Sequence, residues 1–454
     1  MVIHHILIMG NVLCYLAIVL IIRSSVYGYL AKSALNPVFV LATFSMINAI
    51  LFYANFDIDW VQHPRITFYT NLSDRAAAFS IFTAYNVALT AGVAFDYFLK
   101  RKNCCKPVEM KEPCLRSEAS AATLLFFGTC IVALLYVYSQ FGILSVNLIQ
   151  KITSDRFNIL GSAIFFVYLT MVLRVFFLLY CYHQKFYAPK FYIALFLMIF
   201  LMIMTGVRLN LFAVLIAIGL ILTYRGRKFH YLLLMLAFPL VGTLSMFLRF
   251  FMRAHTHMNS MSELIQNEGG WSEIFLNPLE LHYYQTLTSI ITFDLSKRIT
   301  RYPGEEVWVA LTLPIPRSIF PLKGESASSV YSEVINPIAW VSAKSQATLG
   351  VFGVTLLEMG VVLGMVFIFL TGIAYSRLTL INANNRGIIP LITIFSLLVG
   401  TVIYHRSGIT QFGQLVWPAL FAAVVYKWLA FLISKTKRNC RGWGLDNESC
   451  TIKE

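Results

Sequence analysis

Phe191-Tyr-Ile-Ala-Leu-Phe-Leu-Met-Ile-Phe-Leu-Met-Ile-Met204 contains no charged or amide side chain, and past Thr205-Gly206-Val207-Arg208 a second such run extends from Leu211 to Tyr224. Neither run alternates between apolar and polar residues, so neither reads as a strand of an outer-membrane barrel. In hydrocarbon a continuous apolar segment must satisfy its own backbone groups, and only an α-helix does so within one segment. The rest of the chain has the same character. Hydrophobic residues make up 58% of its 454 positions, charged ones 13%, and the mean hydropathy is +0.71. A soluble chain of this length could not bury that much apolar surface. The expected fold is therefore all-α, a polytopic membrane bundle.

Working outward from that pair of runs predicts about eleven transmembrane helices (ten to twelve). They fall at about 4–22, 35–54, 76–99, 119–139, 160–182, 191–204, 211–224, 230–250, 347–372, 388–404 and 411–433. The first is read as a permanent span, because Met1-Val-Ile-His-His lacks the basic n-region and cleavage site of a signal peptide. Lys100-Arg101-Lys102, Arg225-Gly-Arg227-Lys228, Arg377 with Arg386, and Lys435-Thr-Lys437-Arg438 fall on one side of this scheme. The positive-inside rule puts that side in the cytoplasm, with the N-terminus outside and the C-terminus inside. The net charge of +15 is spread over these short loops, which argues against a nucleic-acid partner. Cys104, Cys105, Cys114, Cys440 and Cys450 lie in the basic loops without zinc-site spacing, and read as free thiols in a reducing compartment.

One long interval breaks the pattern. Residues 251–343 separate an N-terminal bundle (1–250) from the last spans and tail (344–454). From Arg253 to Ser342 there are nine carboxylates and six lysines or arginines, so this loop is expected outside. It is too long for a plain connector and suggests a folded functional element. Leu279–Ile299 carries Leu281, Tyr284, Leu287, Ile291 and Leu295 at helical spacing, the pattern of an amphipathic helix on the membrane surface. Pro303, Pro314, Pro316 and Pro321 then impose an extended, stiff path.

Candidate chemistry gathers on that side. Arg208, Arg249, Arg253 and Arg406 stand at span ends, and Arg317 lies between prolines. Arginine so near hydrocarbon is costly unless it is paired or faces a polar cavity. Its planar fork suits phosphate, so converging guanidinium groups would hold a polyanion at the membrane face, a lipid-linked diphosphate above all. The bland alternative is snorkelling to headgroups or pairing with loop carboxylates. Glu325, Glu280 beside His282, and Glu333 are possible general bases, though each reads more readily as a solvated loop charge. Glu358, inside an apolar run, must face the bundle interior and have a partner. Asp57-Ile-Asp59 has the spacing of a metal-dependent sugar-transfer site, which also arises by chance. His255-Thr-His257 would point its rings apart on a helix. No metal and no cofactor is expected.

Two motifs add a resemblance. Thr205-Gly206-Val207-Arg208 resembles the TGxR segment of bacterial O-antigen polymerases, the Wzy family, and Pro314-Ile-Pro316-Arg317-Ser-Ile-Phe-Pro321-Leu-Lys323 resembles that family's proline-flanked arginine segment. Ala347-Thr-Leu-Gly350-Val-Phe-Gly353 fits the glycine-rich helix start that follows. The chain departs from the pattern at Gly324, where proline is usual, and at Lys344-Ser-Gln346, where an acidic residue is expected. The resemblance implies a GT-C-like enzyme of the bacterial inner membrane with a large periplasmic loop. It would transfer a growing glycan from undecaprenyl diphosphate to an incoming lipid-linked repeat unit, within membrane lipid and beside a chain-length regulator. Arg208, Arg317 and Arg406, with Lys323 and Arg253, would bind diphosphate, and Glu325 or His405 would accept the proton. An O-antigen ligase and a lipid-linked oligosaccharide flippase are the alternatives.

Overall fold

The computed structural model describes residues 2–24, 28–30, 33–63, 66–100, 116–141, 156–186, 188–204, 208–226, 283–315, 318–338, 341, 349–385 and 387–442. Among them, seven helices are long and apolar enough to cross a membrane, and the protein is an all-α polytopic membrane protein. These are α1 (Val2–Arg23), α2 (Pro37–Ala54), α3 (Leu72–Lys100), α4 (Arg116–Phe141) and, later, α12 (Gly350–Asn384), α13 (Ile388–Ser407) and α14 (Ile409–Gly442). Three shorter apolar segments lie in α5 (Arg156–His183), α6 (Pro189–Met204) and α7 (Arg208–Tyr224). The span expected at 230–250 is outside the described residues. A two-stranded antiparallel hairpin, β1 (Trp60–His63) with β2 (Ile66–Tyr69), joins α2 to α3. Arg75 pins this connection by donating to the Ile58 and Thr70 carbonyls and to the Asp59 carboxylate at 2.7 Å. Asp59 of the Asp57-Ile-Asp59 pair is thus engaged internally.

The described residues of the long polar interval include the short helices α8 (Tyr283–Thr292), α9 (Leu295–Arg298), α10 (Glu305–Leu311) and α11 (Ala327–Ile335). The helix expected to lie on the membrane surface is instead α8, and it is inside the protein. Tyr283, Tyr284, Leu287 and Ile290 are buried, and so are Thr286, Thr288 and Ser289 on its other side. Two hydroxyls of the face that reads as wet in the sequence meet internal partners, Ser289 Oγ at 2.7 Å from the Tyr331 hydroxyl and Thr292 at 3.1 Å from Thr70, while Thr288 is buried with its hydroxyl unbonded among the described residues. A short hydroxyl side chain bonded inside the fold costs far less to bury than a charge would. Residues 312–315, 318–319 and 321–322 lie in turns and bends rather than on one extended path.

The bundle is organised on α3 and α12, which pack closely along their length. Their backbones touch where glycines permit it. A Cβ on Gly92 would collide with the Phe369 carbonyl, and one on Gly372 with the Leu89 carbonyl. Small residues at helix contacts are the usual device of membrane bundles, where dispersion must replace the hydrophobic effect. Farther along, Arg377 reaches the buried Asp96 at 3.2 Å, so the two helices run parallel.

The helix expected at 347–372 is longer and broken. Gly360 takes φ 63°, ψ −167°, a conformation other residues avoid, and interrupts α12. The arms fold back on each other: a Cβ on Gly364 would lie 2.9 Å from Thr355 Cγ2. In a straight helix those residues are about 13 Å apart along the axis. Tyr85 of α3 donates to the freed Gly360 carbonyl at 2.9 Å, and its ring also meets Phe352 on the first arm. Residues 350–358 are all buried, and 361–384, at about 36 Å, alone suffices to cross a bilayer.

Candidate functional site

Where the polar interval meets the bundle, one arginine and two carboxylates are sealed from solvent. The side chains of Arg301, Glu306 and Glu358 are 2%, 0% and 1% exposed. Arg301 Nε and Nη2 each lie 2.9 Å from Glu358 Oε1, and Nη2 lies 3.3 Å from Glu306 Oε2. Nη1 donates to the Glu325 carbonyl at 2.9 Å, and Glu305 Oε1 is 3.6 Å away. The bifurcated and fork-like geometry is what a guanidinium offers and an ammonium does not.

Three helix beginnings converge on the same carboxylates. Glu358 Oε1 accepts the backbone N–H of Glu306 in the first turn of α10 at 2.9 Å. Glu306 Oε2 accepts that of Ala327, which opens α11, at 2.7 Å, and Oε1 that of Thr410, in the first turn of α14, at 3.3 Å. Each helix N-terminus leaves orphan N–H groups and carries partial positive charge. Together with Arg301 they offset the two buried negative charges. The cluster thus fastens α10 and α11, from the loop, to the broken arm of α12 and the start of α14. Glu358, expected to face inward with a partner, does both. Arg301 and Glu306 are among the fifteen charged residues counted in the polar interval, and no motif in the sequence marks either of them.

The docked loop also meets α14 directly. Trp417 Nε1 donates to the Ala310 carbonyl at 3.1 Å, and a Cβ on Gly413 would sit 3.1 Å from Ala310 Cβ. Lys323 is half-buried, and its ammonium donates to the carbonyls of Leu313 at 2.9 Å and Ile315 at 3.2 Å. It therefore ties the proline-rich segment together. Glu325 is exposed, immediately beside the buried cluster.

The other candidate residues divide in two. Arg317, Arg253, Glu280 and His282 lie outside the described residues. Arg208 opens α7 and Arg406 lies in the last turn of α13, and for both only the backbone is described. His405 is not in an outer turn, because α13 continues through Ser407 and only Gly408 separates it from α14. The ring is 1% exposed and lies among Phe44, Tyr283, Tyr404 and Phe352. In this arrangement it meets no solvent, which corrects its reading as a group at the outer surface. Close by, burial pushes the phenols of Tyr283 and Tyr331 upward and that of Tyr284 to about 12, so all three act as neutral hydrogen-bonding groups. Tyr283 accepts from the Val351 N–H at 3.1 Å, at the start of the broken arm, and Tyr284 donates to the Asn55 carbonyl at 2.8 Å.

Fold and cluster together define a multi-pass helical membrane protein in which the described helices of the polar interval pack into the bundle. Compared with known proteins, the chain matches no family model, no curated protein and no solved structure.

Proposed function

We propose that the chain is a membrane glycosyltransferase of the O-antigen polymerase type. It extends a glycan held on undecaprenyl diphosphate at the periplasmic face of a bacterial inner membrane, within a bundle of about eleven spans. The observation that carries this reading is the docking of the loop. The Arg301–Glu306–Glu358 cluster holds 301–327 against the first turn of α14, and Gly408, beside Arg406, adjoins the same cluster. Of the two sequence motifs that resemble the family, Pro314–Lys323 with Arg317 falls between Glu306 and Ala327 in the chain, and Thr205-Gly206-Val207-Arg208 precedes the loop.

In the proposed reaction a hydroxyl of the acceptor's terminal sugar attacks the anomeric carbon of the donor. The new carbon–oxygen bond forms as the bond to the diphosphate breaks, and the diphosphate leaves with the electron pair. Arg208, Arg317 and Arg406 stabilise the charge growing on that leaving group. The exposed Glu325 carboxylate takes the hydroxyl proton. Lys323 contributes by holding the loop as well as by charge.

Purified protein in liposomes, given a prenyl-diphosphate-linked repeat unit, should yield longer lipid-linked glycans and free prenyl diphosphate. Arg317→Ala should lower the rate about 100-fold or more while the protein still inserts. An unchanged rate would sink the role assigned to Arg317.

One observation favours a second reading, a lipid-linked oligosaccharide flippase. A broken helix with a buried carboxylate is a device of transporters. Against it, the Glu358 carboxylate is already bonded to Arg301 and to a backbone N–H.

A further inference from the structure

One apolar surface belongs neither to the core nor to a span. Trp308 and Leu311 on α10 are exposed, and beyond it Ile315, Ile319 and Leu322 are exposed too, the last two by 73% and 85%. Trp308 and Phe320 meet edge to face, so both stretches form one surface. A water-facing loop rarely leaves such a cluster uncovered.

The location of α10 says what covers it. Ala310 packs on Gly413 and Trp417, at the beginning of the span Phe412–Thr436. Down that same helix Leu420, Phe421, Val424, Trp428 and Phe431 are exposed at spacings of one helical face. In a membrane protein that face meets acyl chains. The exposed residues of the loop therefore adjoin a lipid-facing stripe at the level where it enters the bilayer. Trp308 and Trp417 stand at this level, and tryptophan concentrates where apolar body and polar N–H can be satisfied together.

We propose that Trp308, Leu311, Ile315, Ile319 and Leu322 form a membrane-surface anchor immersed in the headgroup–acyl boundary of the leaflet where α14 begins. The occupant of this surface is phospholipid. The anchor holds the proline-rich segment at the lipid surface from one side, while the Arg301 cluster holds it from the other. It is independent of the reaction the protein performs.

The test uses the full-length chain with its native cysteines replaced, in phosphatidylethanolamine–phosphatidylglycerol liposomes. Spin labels are attached at Leu311→Cys, Ile319→Cys or Leu322→Cys. Leu420→Cys serves as the lipid reference, and Lys297→Cys, whose side chain is 81% exposed, as the aqueous one. Collisions with oxygen should exceed those with a water-soluble nickel chelate several-fold, as at Leu420. Nickel accessibility like that at Lys297 would overturn the proposal in favour of a water-facing surface. Low accessibility to both would overturn it in favour of contact with a second protein. The unmodified chain gives a second reading. Brominated phospholipids should quench a share of the tryptophan emission that is lost in Trp308→Phe, and an equal quenched share in both proteins would contradict the anchor.

Discussion

Replacing Arg301 by alanine is expected to cost about 3–5 kcal/mol of stability, because it strands two buried carboxylates in the same cavity. Glu306 and Glu358 would keep their backbone N–H donors but lose the guanidinium that both share. The effect should exceed that of a core truncation of similar size, since it combines a void with uncompensated charge. Arg301→Lys should recover part of the loss: it restores the charge but cannot span Glu358, Glu306 and the Glu325 carbonyl at once. Thermal unfolding of the detergent-purified protein measures both variants. If Arg301→Ala melts like the wild type, the cluster is not what fastens the loop to the bundle.

The second large effect is expected at the seam between α3 and α12. Gly92→Leu and Gly372→Leu must each push a helix backbone away from its neighbour, because the first added carbon already meets a carbonyl oxygen. Overpacking of this kind costs about 1–3 kcal/mol or more, and here no side chain can rotate aside to relieve it. Even alanine should be destabilising at both positions. Gly128 of α4 is the contrast, since a Cβ there would meet nothing within 4 Å. Gly128→Ala should be neutral or stabilising by about 0.5–1 kcal/mol, the ordinary gain in a helix interior. Equal melting of all three alanine variants would contradict the close approach.

These two features also mark what the sequence could and could not disclose. Apolar runs declare themselves because each spanning helix must close its own hydrogen bonds, so α1–α4, α13 and α14 were legible from composition alone. Glu358 was legible as well: a carboxylate within such a run can only be paired. Its partner was not, because Arg301 and Glu306 lie more than fifty residues away in a loop rich in charges of both signs. Nothing local distinguishes a guanidinium that will be buried from one that stays wet. The same limit explains α8, where Thr286, Thr288 and Ser289 look like a wet face until Tyr331 and the neighbouring helices are known. Gly360 is one of several glycines in its run, and only the folded-back arms reveal which one breaks the helix. The turn left between the expected spans 388–404 and 411–433 shrank to Gly408, because α13 continues through Ser407 with Tyr404 and His405 buried among aromatic neighbours.

The reading of the site rests on sequence motifs joined to a docked loop. The charge cluster supplies a physical reason for Arg301, Glu306 and Ala327 of the loop to be held against the bundle. A glycan polymerase needs that hold, since two lipid-linked substrates must be held side by side while water is kept from the donor.

The most direct measurement is a lipopolysaccharide gel from cells in which the gene is deleted and then restored as wild type or Arg317→Ala. Polymerase activity predicts that deletion collapses the ladder to core bearing a single repeat unit, and that wild type alone rebuilds it. Loss of even the single-unit band would point to ligase or flippase, and an untouched ladder would contradict the assignment outright.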